Sequence, residues 1–80
     1  MADKIEEIFR EALDISDSDN ISDDICMEDT PAWDSLAQMT IIIRLKKLYD
    51  INFLYDEVLC MNTLRKIKEI TEKKLSEKGR

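Results

Sequence analysis

Apolar residues recur at helical spacing in three separated segments of this chain, and that periodicity restricts the fold more than any other feature. Ile5, Ile8, Phe9, Ala12 and Leu13 fall at i, i+3, i+4, i+7 and i+8, one apolar face of a helix over roughly residues 3–14. Leu36, Met39, Ile42, Ile43, Leu45 and Tyr49 carry a second helix that starts at Asp34 or Ser35 and runs to about Tyr49. Ile41 and Leu48 add to it, giving this helix more apolar surface than one buried face requires. Asp50-Ile51-Asn52 breaks the pattern, and residues 55–60 suit one or two turns of a short third helix. Asn62 or Thr63 caps a last helix, with Leu64, Ile67, Ile70 and Leu75 facing inward and Gly79 just past its end. A single glycine and a single proline in 80 residues argue against a turn-rich β fold. No segment repeats another. The spacing predicts an all-α, four-helix bundle of three longer helices and one short one, in a single small domain. A core of this size supplies only about 3–5 kcal/mol of net stability.

Between the first two helices lies a long polar stretch, ISDSDNISDDICMEDTPAWD, at residues 15–34. Ser, Asp and Asn compete with helix by bonding their own backbone, so this segment reads as a loop. Ile15, Ile21, Ile25, Met27 and Trp33 punctuate it as apolar anchors, which predicts a loop pinned across the helices. Loops of such length in small domains are often functional. Its Asp17-Ser18-Asp19 start faintly resembles a calcium-binding loop. The positions that need a ligand and a glycine hold Ile21 and Ser22, and the match fails.

Charge is divided unevenly. The net is −6 at pH 7, yet residues 1–34 hold twelve acidic and two basic side chains, and residues 35–80 hold six acidic and ten basic. No strong basic patch is present, which argues against nucleic-acid binding, where phosphate contacts dominate affinity. The basic segment from Arg65 to Arg80 is interrupted by Glu69, Glu72 and Glu77 and reads as a solvated helix face of mixed sign. Cys26 and Cys60 lack metal-ligand spacing and are expected as reduced, buried or half-buried thiols in a cytoplasmic protein. No apolar run, Ile41-Ile42-Ile43 included, exceeds four residues, too short to span a membrane or to serve as a signal segment. The chain has no histidine, which rules out Ser-His and Cys-His pairs.

Where the acidic stretch meets the apolar second helix stands Asp34-Ser35-Leu36. Ser35-Leu36-Ala37-Gln38 fits the S-x-x-Q capping box, which makes Ser35 a plain helix cap contributing about 1 kcal/mol. The same position also suits a phosphodiester. A phosphate on that oxygen would sit beside the unpaired N–H groups at the positive end of the helix.

Over nearly its full length the chain resembles the acyl carrier protein family. The likeness rests on a first amphipathic helix, a long loop, Trp33-Asp34-Ser35-Leu36, an apolar second helix, Tyr49-Asp50-Ile51-Asn52-Phe53, a short third helix and a final helix. It implies that residues 1–80 form one acyl-carrier-like domain. It implies that Ser35, flanked by Asp34 and Leu36, receives 4'-phosphopantetheine from coenzyme A through a phosphopantetheinyl transferase. The arm then holds acyl groups as thioesters, in fatty acid or polyketide biosynthesis, and the protein itself is no enzyme. The resemblance further implies that Leu36, Met39, Thr40, Ile43, Arg44 and Lys47 of the second helix dock partner enzymes. Leu45, Phe53, Val58 and Met61 align with positions lining an acyl cavity in the family. The expected partners are the transferase and acyl- or aminoacyl-loading and processing enzymes, with no nucleic acid, no membrane and no bound metal. The expected state is a cytoplasmic monomer.

Three features depart from the common pattern. Ala32-Trp33 stands where a glycine often precedes the Asp-Ser pair, which looks more like stand-alone carriers of specialised pathways. Arg44, Lys46 and Lys47 give the second helix a basic end where the family is usually acidic. The acidic charge lies instead in the first helix and the loop. Two other readings stay open at this point. One is an aminoacyl or peptidyl carrier. The other is an unmodified helical interaction module in which Ser35 only caps.

Overall fold

The structure, a computed structural model, describes residues 2–78, so Gly79 lies outside the described residues. Four helices follow in order: α1 (Ala2–Leu13), α2 (Ser35–Tyr49), α3 (Tyr55–Cys60) and α4 (Leu64–Lys78). One 3-10 turn, Met27–Asp29, interrupts the long loop. Among the described residues the sole β feature is an isolated antiparallel bridge between Cys26 and Thr63. The expected all-α four-helix architecture is therefore observed, with three longer helices and a short one.

Helix ends follow local chemistry. α1 stops at Asp14, which adopts φ 57°, while Asp14 N–H donates to Glu11 O at 3.3 Å and Ile15 N–H to Arg10 O at 2.8 Å. This is a Schellman closure with aspartate where glycine is usual. α2 also ends on an aspartate in the left-handed region, Asp50, φ 54°. Its exposed terminus is bound by Lys78 of α4, whose Nζ donates to Tyr49 O at 3.0 Å, Asp50 O at 2.7 Å and Asp50 Oδ2 at 3.0 Å. Thr63 caps α4, its hydroxyl accepting from Lys66 N–H at 3.1 Å.

The core is contributed by all the long elements. Ile5, Ile8, Phe9 and Leu13 of α1 meet Ala37, Ile41, Ile42 and Leu45 of α2, with Met61 and with Leu64 and Ile67 of α4. Trp33 enters from the loop and stands edge-on to Phe9, ring centroids 4.9 Å apart at 82°. Thr71 is also buried, and its hydroxyl is without a hydrogen-bond partner among the described residues. Ile70 and Leu75, expected inward, are only half-buried.

The loop is pinned as its apolar anchors predicted. Met27 N–H donates to Asn62 O at 2.9 Å, Leu64 N–H to Ile25 O at 3.3 Å and Arg65 N–H to Asp23 O at 2.9 Å. Ile15, Ile21, Ile25 and Met27 pack on the core from outside. The basic residues of α4 do more than the sequence suggested. Besides the Lys66–Glu69 pair on the helix itself, Arg65 binds Asp24 at 2.6 Å, Lys68 binds Asp23 at 2.7 Å and Lys74 binds Glu57 of α3 at 2.6 Å. α4 is thus a cationic strut holding the acidic loop, α3 and the end of α2. The Lys68 ammonium holds the Asp23 carboxyl below its ordinary range, and Lys74 does the same for Glu57.

Candidate functional site

The start of α2 brings the loop, α2 and α3 to one place. Asp34, in extended conformation, is the residue before the helix, and its Oδ1 accepts from Ala37 N–H at 2.9 Å. Its main-chain oxygen accepts from Gln38 N–H at 3.0 Å. The cap is therefore Asp34, one residue earlier than the capping-box reading of Ser35-Leu36-Ala37-Gln38 required. The correction frees Ser35. It is the first helical residue and exposed, and its hydroxyl enters no side-chain hydrogen bond among the described residues. The first N–H groups of a helix point outward along its axis, and the dipole there favours an anion.

Gln38 is the second correction. Instead of returning to the helix start, its amide is buried, 7% exposed, and ties three segments together. Trp33 Nε1–H donates to its Oε1 at 2.8 Å. Its Nε2 donates to Met61 O at 3.0 Å and Val58 O at 3.2 Å, at the C-terminal end of α3. A signal for this role was present in the spacing: Gln38 falls at i, with Ile41, Ile42 and Leu45 at i+3, i+4 and i+7.

The outward face of α2 carries Leu36, Met39 and Ile43, exposed by 76%, 51% and 46%. Thr40 is half-buried, its hydroxyl donating to Leu36 O at 3.0 Å. Arg44 is exposed and ion-paired to Glu11 of α1. Lys47, also exposed, lines a groove between α1 and α2 with Arg44, Glu7, Glu11 and Leu48. The side of α2 that points to solvent is thus apolar near Ser35 and basic near its C-terminus, over about 15 Å of helix. α3 adds exposed Tyr55 and Leu59, and Leu54 just before it is exposed too.

Leu45 and Met61 are fully buried, and Phe53 and Val58 pack against the same core. The Lys74 ammonium lies 6.0 Å from the Phe53 ring centroid. All four therefore belong to the one core cluster or pack against it. The cysteines take no part. Both thiols are free, and Cys60 is exposed where burial or half-burial was expected. The Cys26 thiol donates to Asp29 Oδ2 at 3.1 Å, and that carboxylate pushes it up, away from a reactive thiolate. Among the described residues no group of three or more His, Cys, Asp or Glu is placed to hold a metal ion, and no helix is long and apolar enough to cross a membrane.

A helical bundle that presents an exposed serine beside a helix cap, over a buried apolar core, has the build of a carrier domain. No family model matches the chain, and no curated protein matches it. Among solved structures, the chain is similar to a holo acyl carrier protein from Geobacter metallireducens, determined in solution by NMR. The two are 31% identical, with a TM-score of 0.81, over 96% of this chain and 87% of that one. The chain belongs to the acyl carrier protein family. It is a carrier rather than an enzyme.

Proposed function

We propose that Ser35 is the attachment point of a 4'-phosphopantetheine arm, and that residues 1–80 act as one carrier domain presenting acyl thioesters to partner enzymes. The observation that carries this reading is the exposed Ser35 hydroxyl at the first position of α2, with the cap supplied by its neighbour Asp34. The fit is sound on three counts. The hydroxyl is open to solvent on the described surface. Asp34 keeps the helix capped when Ser35 is esterified. The outward N–H groups at the helix end suit a phosphodiester. The similarity to a protein described as holo supports the same group.

In the modification step the Ser35 oxygen forms a bond to the phosphorus that bears the pantetheine. The pyrophosphate P–O bond of coenzyme A breaks, 3',5'-adenosine bisphosphate leaves, and the hydroxyl proton passes to a base of the transferase. The bound arm supplies a thiol for thioester formation. The chain's own residues supply the rest. Leu36, Met39, Thr40 and Ile43 form the apolar part of the docking face, and Arg44 and Lys47 its basic part. Charge of this sign suits partner enzymes with acidic groups opposite the C-terminal half of α2. Leu45, Phe53, Val58 and Met61, which align with the family's acyl-cavity positions, are the residues that a long acyl chain would meet on entering the interior. The protein works as a monomer in the cytoplasm, where coenzyme A and the reduced thiols of Cys26 and Cys60 belong.

The test is intact-mass analysis after incubation with coenzyme A and a broad-specificity phosphopantetheinyl transferase. The chain is expected to gain one phosphopantetheine, and Ser35→Ala none. An unmodified wild-type mass, or a loaded Ser35→Ala, sinks the assignment.

A further inference from the structure

We propose that Gln38 is the residue that decides where the cargo lies: with Trp33 it bars the path from Ser35 into the core, so short and medium acyl chains ride on the arm outside the bundle. This rests on Ser35 being the attachment point. Gln38 stands one turn inside Ser35 on the inward face of α2, and its amide bridges to the end of α3. A chain turning inward between α2 and α3 meets that amide before it meets Leu45 or Met61.

Three features make the barrier strong. The amide is buried and fully engaged, with Trp33 on its oxygen and two main-chain carbonyls on its nitrogen. Trp33 is itself 2% exposed and held edge-on by Phe9, so it does not swing aside without opening the core. Met61, Leu45, Ile41 and Leu64 have no exposed surface and belong to one core cluster. To pass, a chain must break a set of buried hydrogen bonds whose groups then lack partners. A carrier of this kind suits cargo that partner enzymes read directly in solvent: short, branched or polar acyl groups.

The experiment loads the full chain with acetyl and with hexanoyl pantetheine arms, from acetyl- and hexanoyl-coenzyme A and the transferase. Intact mass verifies loading. Its failure would count against Ser35 as the attachment point, a separate outcome from the location of the chain. On loaded protein, amide chemical shifts are recorded and the thioester is cleaved with hydroxylamine. For the wild type, the acetyl and hexanoyl forms should give the same shifts at Leu45, Met61, Leu64 and Ile67, and equal cleavage rates. Hexanoyl-specific shifts at those residues, with several-fold slower cleavage, overturn the proposal. In Gln38→Ala the hexanoyl form should shift the core amides and resist hydroxylamine several-fold. Trp33→Phe, which keeps an aromatic ring beside Phe9 and removes the N–H together with part of the indole, is a second variant. If both variants are folded and both still leave hexanoyl outside, the barrier does not depend on Gln38 and the assignment is wrong.

Discussion

Asp34 and Ser35 are adjacent, chemically similar as helix caps, and assigned opposite work, so substituting each in turn separates structure from function. Asp34 Oδ1 accepts from Ala37 N–H at 2.9 Å, and its carboxylate sits at the positive end of α2. Removing it in Asp34→Ala leaves that N–H without its partner and should cost about 1 kcal/mol, within the usual 0.5–2 for a lost cap. In a domain of this size that is a fall of roughly 4–8 °C in Tm. Asp34→Asn keeps an accepting oxygen and should lose only the charge, a few tenths of a kcal/mol. Ser35 lies inside the helix at its first position and its hydroxyl bonds nothing in the described structure. Ser35→Ala gains a little helix propensity and should stay within about 0.5 kcal/mol of the wild type. Urea denaturation followed by far-UV circular dichroism measures all three, and intact mass after exposure to coenzyme A and transferase measures loading. The expected outcome is a crossed pattern: Asp34→Ala loses stability, and Ser35→Ala keeps stability but takes no arm. If Ser35→Ala falls as far as Asp34→Ala, the cap has been placed on the wrong residue.

Three further outcomes follow from named contacts. Thr71→Val replaces a buried hydroxyl that has no partner among the described residues with a methyl group of the same shape, so stability should hold or rise by up to about 1 kcal/mol; a loss of that size in urea titration would show that the hydroxyl is bonded. Asp23 and Glu57 have folded pKa values below their ordinary ones, chiefly through Lys68 and Lys74. Their contribution is therefore full above the unfolded values near pH 4 and fades as pH falls through the folded ones. The urea midpoint should drop between about pH 5 and pH 3, and Asp23→Asn with Glu57→Gln should flatten that drop; a double variant with an unchanged profile refutes the link. Arg44→Glu with Lys47→Glu breaks only the exposed pair to Glu11, worth at most about 1 kcal/mol. It should change kcat/KM with the cognate processing enzymes, and unaltered kinetics with all of them would remove the docking role of α2.

The helices were legible because each long one must bury a stripe, and stripes at 3.6-residue spacing show in a linear sequence. What the sequence hid was of two kinds. The cap of α2 was ambiguous by one residue, since Asp34 and Ser35 are both good caps and only the backbone conformation decides between them. The polar side chains turned inward were hidden by their chemistry. Gln38 falls on the stripe of Ile41, Ile42 and Leu45, and Thr71 on the stripe of Leu64 and Ile67, and a search for apolar residues passes over both. The remaining contacts are long-range in sequence. Asp23 meets Lys68, Asp24 meets Arg65, and Glu57 meets Lys74. An acidic first half and a basic second half signal attraction between the halves, but they do not say which residues meet.

The Gln38 network also sets a length scale for the cargo. Opening it would leave the Trp33 N–H, the Gln38 amide and the Met61 carbonyl short of partners, since Val58 O still accepts from Met61 N–H at 3.1 Å. At about 1–3 kcal/mol for each unsatisfied group, the cost is roughly 3–9 kcal/mol. Burial of each methylene returns about 0.8 kcal/mol before the chain's lost rotamer freedom is counted. An acetyl group cannot approach that cost, and the five carbons beyond a hexanoyl carbonyl recover about 4 kcal/mol at most, the low end of that range before lost rotamer freedom is subtracted. A chain roughly twice that length recovers about 8 kcal/mol and reaches the upper end, where burial competes with the hydrogen bonds. One amide on the inward face of α2 thus makes this carrier indifferent to short chains and forces a rearrangement at α3 on long ones, a selectivity that arises before any partner enzyme binds.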